Sequence, residues 1–290
     1  MSDNSGPETI GIINCVLNVP LMLISIIGNT LVLTAIWRTS ALRGLPSMIL
    51  VCSLAVSDLT VGFLVQPLYI TATITRNLFF YQATFMTGVC ATGVSLLIMT
   101  AISVDRFLAL HYHMRYPNLM TTHRAMYASA TLWLISFLLS FSTFWKMSAY
   151  YFVVAIGIAI CLIVSTVCYI RIYRIVRQHQ VQIHAQQQAV ESNAANDNQT
   201  MLRSTKSAKN TFIYYIVMIL CYTPLFTSMA VLSISHKDWT NAWSFGDTVA
   251  FMNSSINPFL YCWRLSELRT AVIKTAKQML CRQTEENSLP

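Results

Sequence analysis

The sequence predicts an all-α fold: a seven-transmembrane helix bundle followed by a short amphipathic C-terminal helix on the inner leaflet. The 290 residues are 55% hydrophobic and 10% charged, with a mean hydropathy of +0.53. A soluble domain carries about a quarter of charged residues. Apolar stretches of about 20 residues, long enough to cross a bilayer as helices, recur seven times, and basic residues collect on one side of them. The chain is therefore expected to lie in lipid.

These apolar stretches give the predicted helices in chain order. The spans are residues 10–37, 47–74, 79–110, 124–144, 149–176, 210–234 and 243–263. Residues 1–9 are predicted to form an extracellular N-terminus, and residues 10–263 one transmembrane domain. Most connections are short, including the one between spans four and five around Lys146.

One connection is long, a predicted cytosolic loop over residues 178–209. Its Gln/Ala/Asn-rich part, residues 184–200, has the composition of a disordered segment. The basic ends of the loop are expected to continue spans five and six as helix into the cytosol.

The C-terminal segment, residues 264–290, is predicted to form the amphipathic helix and a cytosolic tail. Apolar residues recur there at helical spacing with Lys and Arg between them, which is typical of a helix lying on a membrane surface; a disordered basic tail is the alternative. Cys281 is a lipidation candidate beside these basic residues, and a free thiol is the alternative.

Basic residues set the predicted orientation. If odd-numbered spans run from outside to inside, all of the 19 Lys and Arg residues except Arg76, Lys146 and Lys237 lie in the cytosol. The positive-inside rule then puts the N-terminus outside and the C-terminus in the cytosol. The net charge of +8 is explained by orientation and contact with anionic membrane lipid, so we expect no nucleic-acid partner.

Three groups interrupt the apolar spans. Asp58 lies inside span two, Asp105 and Arg106 end span three, and Asn257-Pro258 lies in span seven. Charged and helix-breaking groups are costly at bilayer depth. They are therefore expected to face the interior of the bundle and to have a function there.

Short motifs in all seven spans carry a resemblance to a known family. They are Gly28-Asn29-Thr30 in span one, Ser53 to Asp58 in span two, Asp105-Arg106-Phe107 in span three, Trp133 in span four, Tyr169 in span five, Tyr222-Thr223-Pro224 in span six and Asn257-Pro258-Phe259-Leu260-Tyr261 in span seven. In order and spacing they resemble the rhodopsin-like (class A) G-protein-coupled receptors over nearly the whole chain outside the long loop. Asn29, Trp133, Pro224 and Pro258 match structural motifs of that family.

The resemblance implies a receptor and not an enzyme. Such a receptor would lie in the plasma membrane as a multi-pass protein and pass the signal of a small extracellular ligand to a heterotrimeric G protein. Arrestin and a receptor kinase are further partners that the resemblance allows. Two alternatives are a seven-helix transporter or channel, which would need several charges along a path through the membrane, and a decoy receptor that does not couple.

The resemblance also implies an allosteric sodium ion, with no covalently bound cofactor. Ser95, Asn253, Ser254 and Asn257 are expected to meet Asp58 around it at rest, since hard oxygen ligands suit such a cation. A protonated or hydrated Asp58 without an ion is the alternative. Tyr222 stands where the family usually has tryptophan, which puts the strength of the site in doubt.

At the cytosolic end, Arg106 resembles the switch residue of the family. It is expected to pair with Asp105 at rest and to contact the G protein on activation, with Tyr169 and Tyr261 holding the open state. A plain snorkelling pair is the alternative. Residues 203–206 at the foot of span six contain no acid, so we expect a weak second restraint and raised basal signalling.

Residues that the chain lacks limit the classes of ligand that it can bind. Tyr81 and Cys161 occupy places where most members have a cysteine and a proline, a pattern that resembles the melanocortin, adenosine, cannabinoid and lysolipid receptors. Gly88 and Phe251 replace the amine-receptor aspartate and the retinal lysine. The pocket candidates by spacing, mostly apolar and suited to a small apolar or weakly polar ligand, are Gly88, Val89, Thr92, Tyr222, Leu225, Phe226, Met229, Asp247 and Phe251. Asp247 is expected either to meet a ligand cation or to be an exposed cap near the outer end of span seven.

Overall fold

The computed structural model describes residues 5–112, 115–141, 147–189, 194–234 and 240–286. Every regular element in these ranges is a helix. In chain order they are α1 (Ser5–Arg38), α2 (Ser40–Arg43), α3 (Pro46–Thr60), a π-helical turn (Val61–Val65), α4 (Gln66–Thr75), α5 (Leu78–Tyr112), α6 (Tyr116–Leu119), α7 (Thr122–Ser140), α8 (Met147–Ala189), α9 (Ala194–Ile234), α10 (Thr240–Arg264) and α11 (Ser266–Glu286). We name the two ends of the bundle outer and cytosolic after the predicted orientation.

Seven membrane helices follow the predicted spans: α1, α3 continued by α4, α5, α7, α8, α9 and α10. In the described part of the chain, five of these are long and apolar enough to cross a membrane by length and composition: α1, α3 with α4, α5, α8 and α9. Of the other two, α7 has 19 residues and α10 is rich in polar side chains. The polar residues of α10 face the bundle and build much of the candidate site.

The long cytosolic connection differs from its prediction. Helix α8 continues to Ala189 and α9 begins at Ala194, so most of the segment expected to be disordered is helical. Alanine and glutamine are good helix formers, and a helix that extends an existing one needs no new nucleus. Composition alone therefore overstated the disorder. Residues 190–193 lie outside the described part, as do residues 142–146 between spans four and five.

Helix α11 occupies the predicted tail helix. Leu268 is fully buried and Ala271 nearly so, and both belong to the main core cluster, whereas Ile273 is half exposed. The apolar stripe of α11 thus packs against the end of the bundle. Cys281 falls within this helix, but its side chain lies outside the described part.

Helices α1 and α10 approach each other closely at Gly28. A Cβ atom at this position would lie 2.8 Å from Cγ of Pro258. One residue later, Asn29 donates from Nδ2 to the backbone oxygen of Ser254 (3.1 Å) and to that of Ser25 (2.9 Å). Small residues allow this kind of backbone contact in membrane helices. The motif of span one therefore anchors the helix that carries most of the interior polar groups.

Trp133 connects α7 to α3. Its indole nitrogen donates to Oγ of Ser53 (2.9 Å), and Ser129 Oγ donates to the same oxygen (2.7 Å). The remaining structural motif residues, Pro224 and Pro258, lie inside α9 and α10 respectively, where neighbouring helices can satisfy the backbone groups that a proline leaves free.

Candidate functional site

A large cavity occupies the outer half of the bundle. Its volume is about 1040 Å³, and its walls come from α1, α4, α5, α7, α8, α9 and α10. Eight of the nine predicted pocket residues line it: Gly88, Val89, Thr92, Tyr222, Leu225, Met229, Asp247 and Phe251. Tyr81 also lies on this wall. The cavity is larger than the roughly 300–1,000 Å³ of ordinary small-molecule sites, so it has room for an organic ligand.

Phe226 is the predicted pocket residue that does not line the cavity. It packs instead against the main core cluster. Successive residues in a helix point about 100° apart, because a turn takes 3.6 residues, so Leu225 and Phe226 face different directions. The sequence could not fix this rotation.

Asp247 projects from within α10, which begins at Thr240, so it is not the cap of that helix. It lines the cavity and is half-buried. The indole of Trp243, one turn earlier, lies beside the carboxylate. Trp243 Nε1 has no hydrogen bond of ordinary geometry. Among the described residues, no Lys or Arg forms a salt bridge with Asp247.

Tyr222 closes the inner end of the cavity. Its side chain is only 1% exposed, and its hydroxyl donates to the backbone oxygen of Thr92 at 3.3 Å. Below it, Asn253 Nδ2 contacts Sδ of Met99 at 3.4 Å. The tyrosine that departs from the family pattern therefore bridges α9 and α5 between the cavity and the polar centre of the bundle.

The polar centre is built around Asp58, which is fully buried. Ser95 Oγ donates to Oδ1 of the carboxylate (3.1 Å), and Asn257 Nδ2 donates to Oδ2 (2.8 Å). The hydroxyl of Ser254 also hydrogen-bonds to it. Ser57 extends the cluster through a 2.9 Å contact with Ser95. The structure thus brings together residues from α3, α5 and α10 that the sequence predicted to meet.

The donor set of this centre fits a small hard cation. Asn253 Oδ1 and Asn257 Oδ1 are buried acceptors without a hydrogen-bond partner in the described part, next to a fully buried carboxylate. Carboxylate, amide and hydroxyl oxygens are the ligands that such cations prefer. A π-helical turn, Val61–Val65, follows directly after Asp58 and Thr60, and such turns occur frequently at functional sites.

The cytosolic end of α5 carries an ion pair. Arg106 Nη2 lies 2.6 Å from Oδ2 of Asp105. Tyr116 donates from its hydroxyl to Oδ1 of the same carboxylate at 2.5 Å. Burial and the adjacent carboxylate raise the pKa of Tyr116, so its proton stays in this bond at neutral pH. The sequence signalled the pair but not Tyr116, because a tyrosine in a loop helix gives no sign of its partner.

The space beside this pair is nearly closed. A cavity of about 20 Å³ lies between α3, α5 and α10, with Arg106, Tyr261 and Arg264 on its walls. The ring of Tyr261 lies 6.4 Å from that of Tyr214, and the guanidinium of Arg264 sits over the Tyr214 ring at 5.8 Å. No protein helix fits into this cavity, and we call the arrangement of α3, α5 and α10 around it the closed packing.

Tyr169 contacts a different aromatic ring from the one that Tyr261 contacts. Its ring stacks on Tyr215 with centroids 4.7 Å apart and an angle of 9° between the ring planes. The family resemblance implies that Tyr169 and Tyr261 both hold the open state. In the closed bundle they belong to two separate aromatic contacts.

A second buried polar network was missed by sequence analysis. Asn18 Nδ2 donates to Oγ1 of Thr248 (3.1 Å), and Gln66 Nε2 donates to Oδ1 of Asn18 (3.1 Å). All three side chains are at most 4% exposed. They join α1, α4 and α10 at the level of the outer cavity. Amides inside apolar runs were the available signal, since polar groups in a membrane are expected to pair between helices.

Position 81 is a tyrosine, and the described cysteines form no disulfide bond. The seven whose side chains the structure describes are free thiols: Cys15, Cys52, Cys90, Cys161, Cys168, Cys221 and Cys262. In the described ranges, the outer cavity therefore keeps its shape through packing and hydrogen bonds.

Comparison with known proteins matches this chain to seven-transmembrane receptors. A family model described as "7 transmembrane receptor (rhodopsin family)" matches residues 28–148 and 140–261. Adenosine receptor A3 of Ovis aries is 24% identical over 295 residues, covering 92% of this chain and 90% of that receptor. Adenosine receptor A2b of Gallus gallus is 25% identical over 315 residues, covering 92% and 89%. Adenosine receptor A3 of Canis lupus familiaris is 24% identical over 296 residues, covering 91% and 90%.

Proposed function

Because the chain belongs to the rhodopsin family of seven-transmembrane receptors, we propose that this G-protein-coupled receptor binds a small ligand in its outer cavity and promotes nucleotide exchange on a heterotrimeric G protein. The proposal places it in the plasma membrane with its N-terminus outside. It assigns the chain no catalytic chemistry of its own. Arrestin and a receptor kinase are further partners under this proposal.

The observation that carries the proposal is the course of a single helix. Helix α5 lines the outer cavity at Gly88 and Thr92, donates to Asp58 through Ser95, and ends in the Asp105–Arg106 pair. From Gly88 to Arg106 the rise is about 27 Å at 1.5 Å per residue. A rotation or shift of α5 at the cavity would therefore reach the cytosolic pair directly.

The proposed mechanism is a population shift between two packings of the bundle. In the closed packing, Arg106 is held by Asp105, and the space beside Tyr261 is too small for a partner helix. A ligand that binds the open packing more tightly shifts the equilibrium toward it. Arg106 is then released to contact the G protein, and Tyr169 and Tyr261 support the opened space.

The Asp58 cluster is proposed to hold a sodium ion in the closed packing. Asp58, Ser95, Asn253, Ser254 and Asn257 would supply its oxygens. The ion would supply positive charge that favours an ionised Asp58. What supports this is the pair of partnerless amide oxygens beside a fully buried carboxylate.

Coupling can be tested in cells before a ligand is known. Residues 203–206 lack an acid to restrain Arg106, so cells expressing the protein without ligand should show more second-messenger output than cells expressing Arg106→Ala. Arg115→Ala, which removes an exposed arginine on the same side, is the matched control and should behave as the unaltered protein. Equal output from the unaltered protein and Arg106→Ala in all second-messenger assays, at equal surface expression, would contradict coupling through this residue.

A further inference from the structure

Asp247 is a carboxylate in an aromatic and apolar cavity. Of the described residues on the cavity wall, only Asp247 and Arg76 carry a formal charge. Arg76 lies at the outer end of α4, where it adopts a left-handed conformation (φ 51°). Asp247 has no salt-bridge partner in the described part of the chain. An ionised carboxylate away from bulk water is costly unless a positive charge approaches it.

A cluster of aromatic rings surrounds the same end of the cavity. Phe85 and Trp243 are both on the cavity wall, with ring centroids 5.2 Å apart and planes at 88°. Behind these two rings and not on the cavity wall, Tyr150 packs against Phe85 at 4.7 Å, and Tyr151 lies 6.4 Å from both Phe85 and Trp243. We call these four residues the aromatic cage. They lie on α5, α8 and α10, so the cage forms only where these three helices pack together.

The cage and the carboxylate are close to each other. The indole of Trp243 lies beside Asp247, one turn earlier on α10. Asp247, Trp243 and Phe85 all line the cavity. The site therefore combines a carboxylate with two aromatic rings on the cavity wall.

This combination is selective for one class of ligand. The faces of aromatic rings attract ammonium groups, and cages of several rings are the usual solution for methylated ammonium. A carboxylate beside such a cage supplies the opposing charge. A neutral ligand would fill the same volume but leave Asp247 without a positive partner.

We propose that the receptor ligand is an organic cation whose ammonium group lies between Asp247 and the aromatic cage. This inference rests on the proposed function, and it adds the chemical class of the ligand. The apolar part of the ligand extends toward Val89, Leu225 and Met229, which line the same cavity. The position differs from the amine-receptor aspartate, whose place is Gly88 on α5; here the acid is on α10.

The test compares a cation with its neutral isostere on the purified full-length receptor in lipid nanodiscs. Choline and its carbon isostere dimethylbutanol differ mainly in charge, and benzyltrimethylammonium adds an apolar group. Binding is measured by calorimetry for the unaltered protein, for Asp247→Asn, for Trp243→Leu and for Phe226→Leu. Phe226→Leu is the matched control, because Phe226 neighbours Leu225 in sequence but does not line the cavity. Thermal unfolding of each variant shows whether it remains folded.

The cations should bind at least tenfold more tightly than dimethylbutanol. Asp247→Asn and Trp243→Leu should each lose at least tenfold in cation affinity, while Phe226→Leu should change little. Equal binding of cation and isostere, no binding of either cation, or unchanged cation affinity in folded Asp247→Asn would overturn the proposal. So would adenosine binding with an affinity that Asp247→Asn leaves intact.

Failure here can be separated from failure of the proposed function. Basal nucleotide exchange on G proteins is measured on the same preparations. Exchange that is present and depends on Arg106, together with no preference for cations, would overturn the ligand class and leave the receptor function standing.

Discussion

Asp58 is a fully buried carboxylate at the centre of the helix bundle. A carboxylate inside an apolar span has a high cost unless polar groups surround it. In the closed bundle it has hydrogen bonds from Ser95 and Asn257, which lie on two other helices. The resemblance to the receptor family implied these partners, and the spacing of Asn253 and Asn257 placed those two residues on one face of span seven. It gave no sign of Ser57, whose contact with Ser95 depends on the rotation of α3.

A sodium ion in this cluster should be visible as salt-dependent stability. At ten times its Kd, an ion that binds only the folded state stabilises it by about 1.4 kcal/mol. The melting temperature of the purified receptor should therefore be higher in NaCl than in KCl of equal concentration. Asp58→Asn should melt at the same temperature in both salts, because the charged ligand is gone.

Glu267→Gln is the control for that experiment, since it removes an exposed carboxylate from α11. It should keep the difference between the two salts. The same melting temperature for the unaltered protein in NaCl and KCl would contradict the sodium site, as would a difference that persists in Asp58→Asn.

Tyr116 is the residue at the cytosolic end whose role the sequence did not signal. Its hydroxyl donates a hydrogen bond to Asp105, the carboxylate that pairs with Arg106. Tyr116→Phe should therefore weaken the closed packing. A net loss of about 1 kcal/mol corresponds to a roughly fivefold shift toward the open packing. Basal nucleotide exchange on the coupled G protein should rise accordingly.

Tyr112→Phe serves as the comparison, because that side chain is 43% exposed at the end of α5, the helix that carries Asp105. It should leave basal exchange unchanged. A fall in basal exchange in Tyr116→Phe, at equal receptor amounts, would mean that the hydroxyl supports the open packing instead.

At the scale of elements, the contact of α1 with α10 depends on the absence of a side chain. Gly28→Ala would place Cβ 2.8 Å from the rigid ring of Pro258, so the helices must separate. Overpacking of this kind costs about 1–3 kcal/mol. We expect a lower melting temperature for Gly28→Ala in thermal unfolding of the purified protein.

Gly157→Ala is the matched change, because this glycine also lies inside a helix, α8, and a Cβ there meets nothing within 4 Å. It should leave the melting temperature unchanged or raise it, since alanine favours helix. Equal melting temperatures for the two variants would show that the close approach of α1 and α10 does not limit stability.

The elements also show where reasoning from sequence was sufficient. Apolar length predicted the seven membrane helices, and helical spacing of apolar residues predicted α11. The continuation of α8 and α9 into the cytosol was predicted, but its length was underestimated, because the Gln/Ala/Asn-rich composition indicated disorder. The second polar network, with Asn18, Gln66 and Thr248, was missed because its three members lie in three different spans.

For the whole molecule, the sequence predicted individual residues of the site better than it predicted which residues meet in the folded bundle. Motif residues identified the receptor family, and spacing gave nine pocket candidates, eight of which line the cavity. The aromatic cage was not predicted. Phe85, Tyr150, Tyr151 and Trp243 are ordinary apolar or interfacial residues in their own spans, and only the packing of α5, α8 and α10 brings them to Asp247. The rotation of each helix about its axis decides which side chains meet, and a sequence pattern does not specify that rotation.

The molecule as a whole connects an outer cavity, a buried polar centre and a closed cytosolic pair through α5. A transporter would instead need a path of polar groups from one side to the other. The described residues place Asp247 in the cavity and Asp58 in the centre, and the fully buried Tyr222 lies between cavity and centre. This arrangement favours transmission of a conformational change over passage of a solute.

Nucleotide release from purified heterotrimers, measured with the receptor in lipid, distinguishes a G-protein-coupled receptor from a transporter. We expect faster release with the unaltered receptor than with lipid alone, and loss of this effect in Arg106→Ala. No release from any heterotrimer class, in the presence of ligands that bind the cavity, together with movement of solute across receptor-containing vesicles, would contradict it.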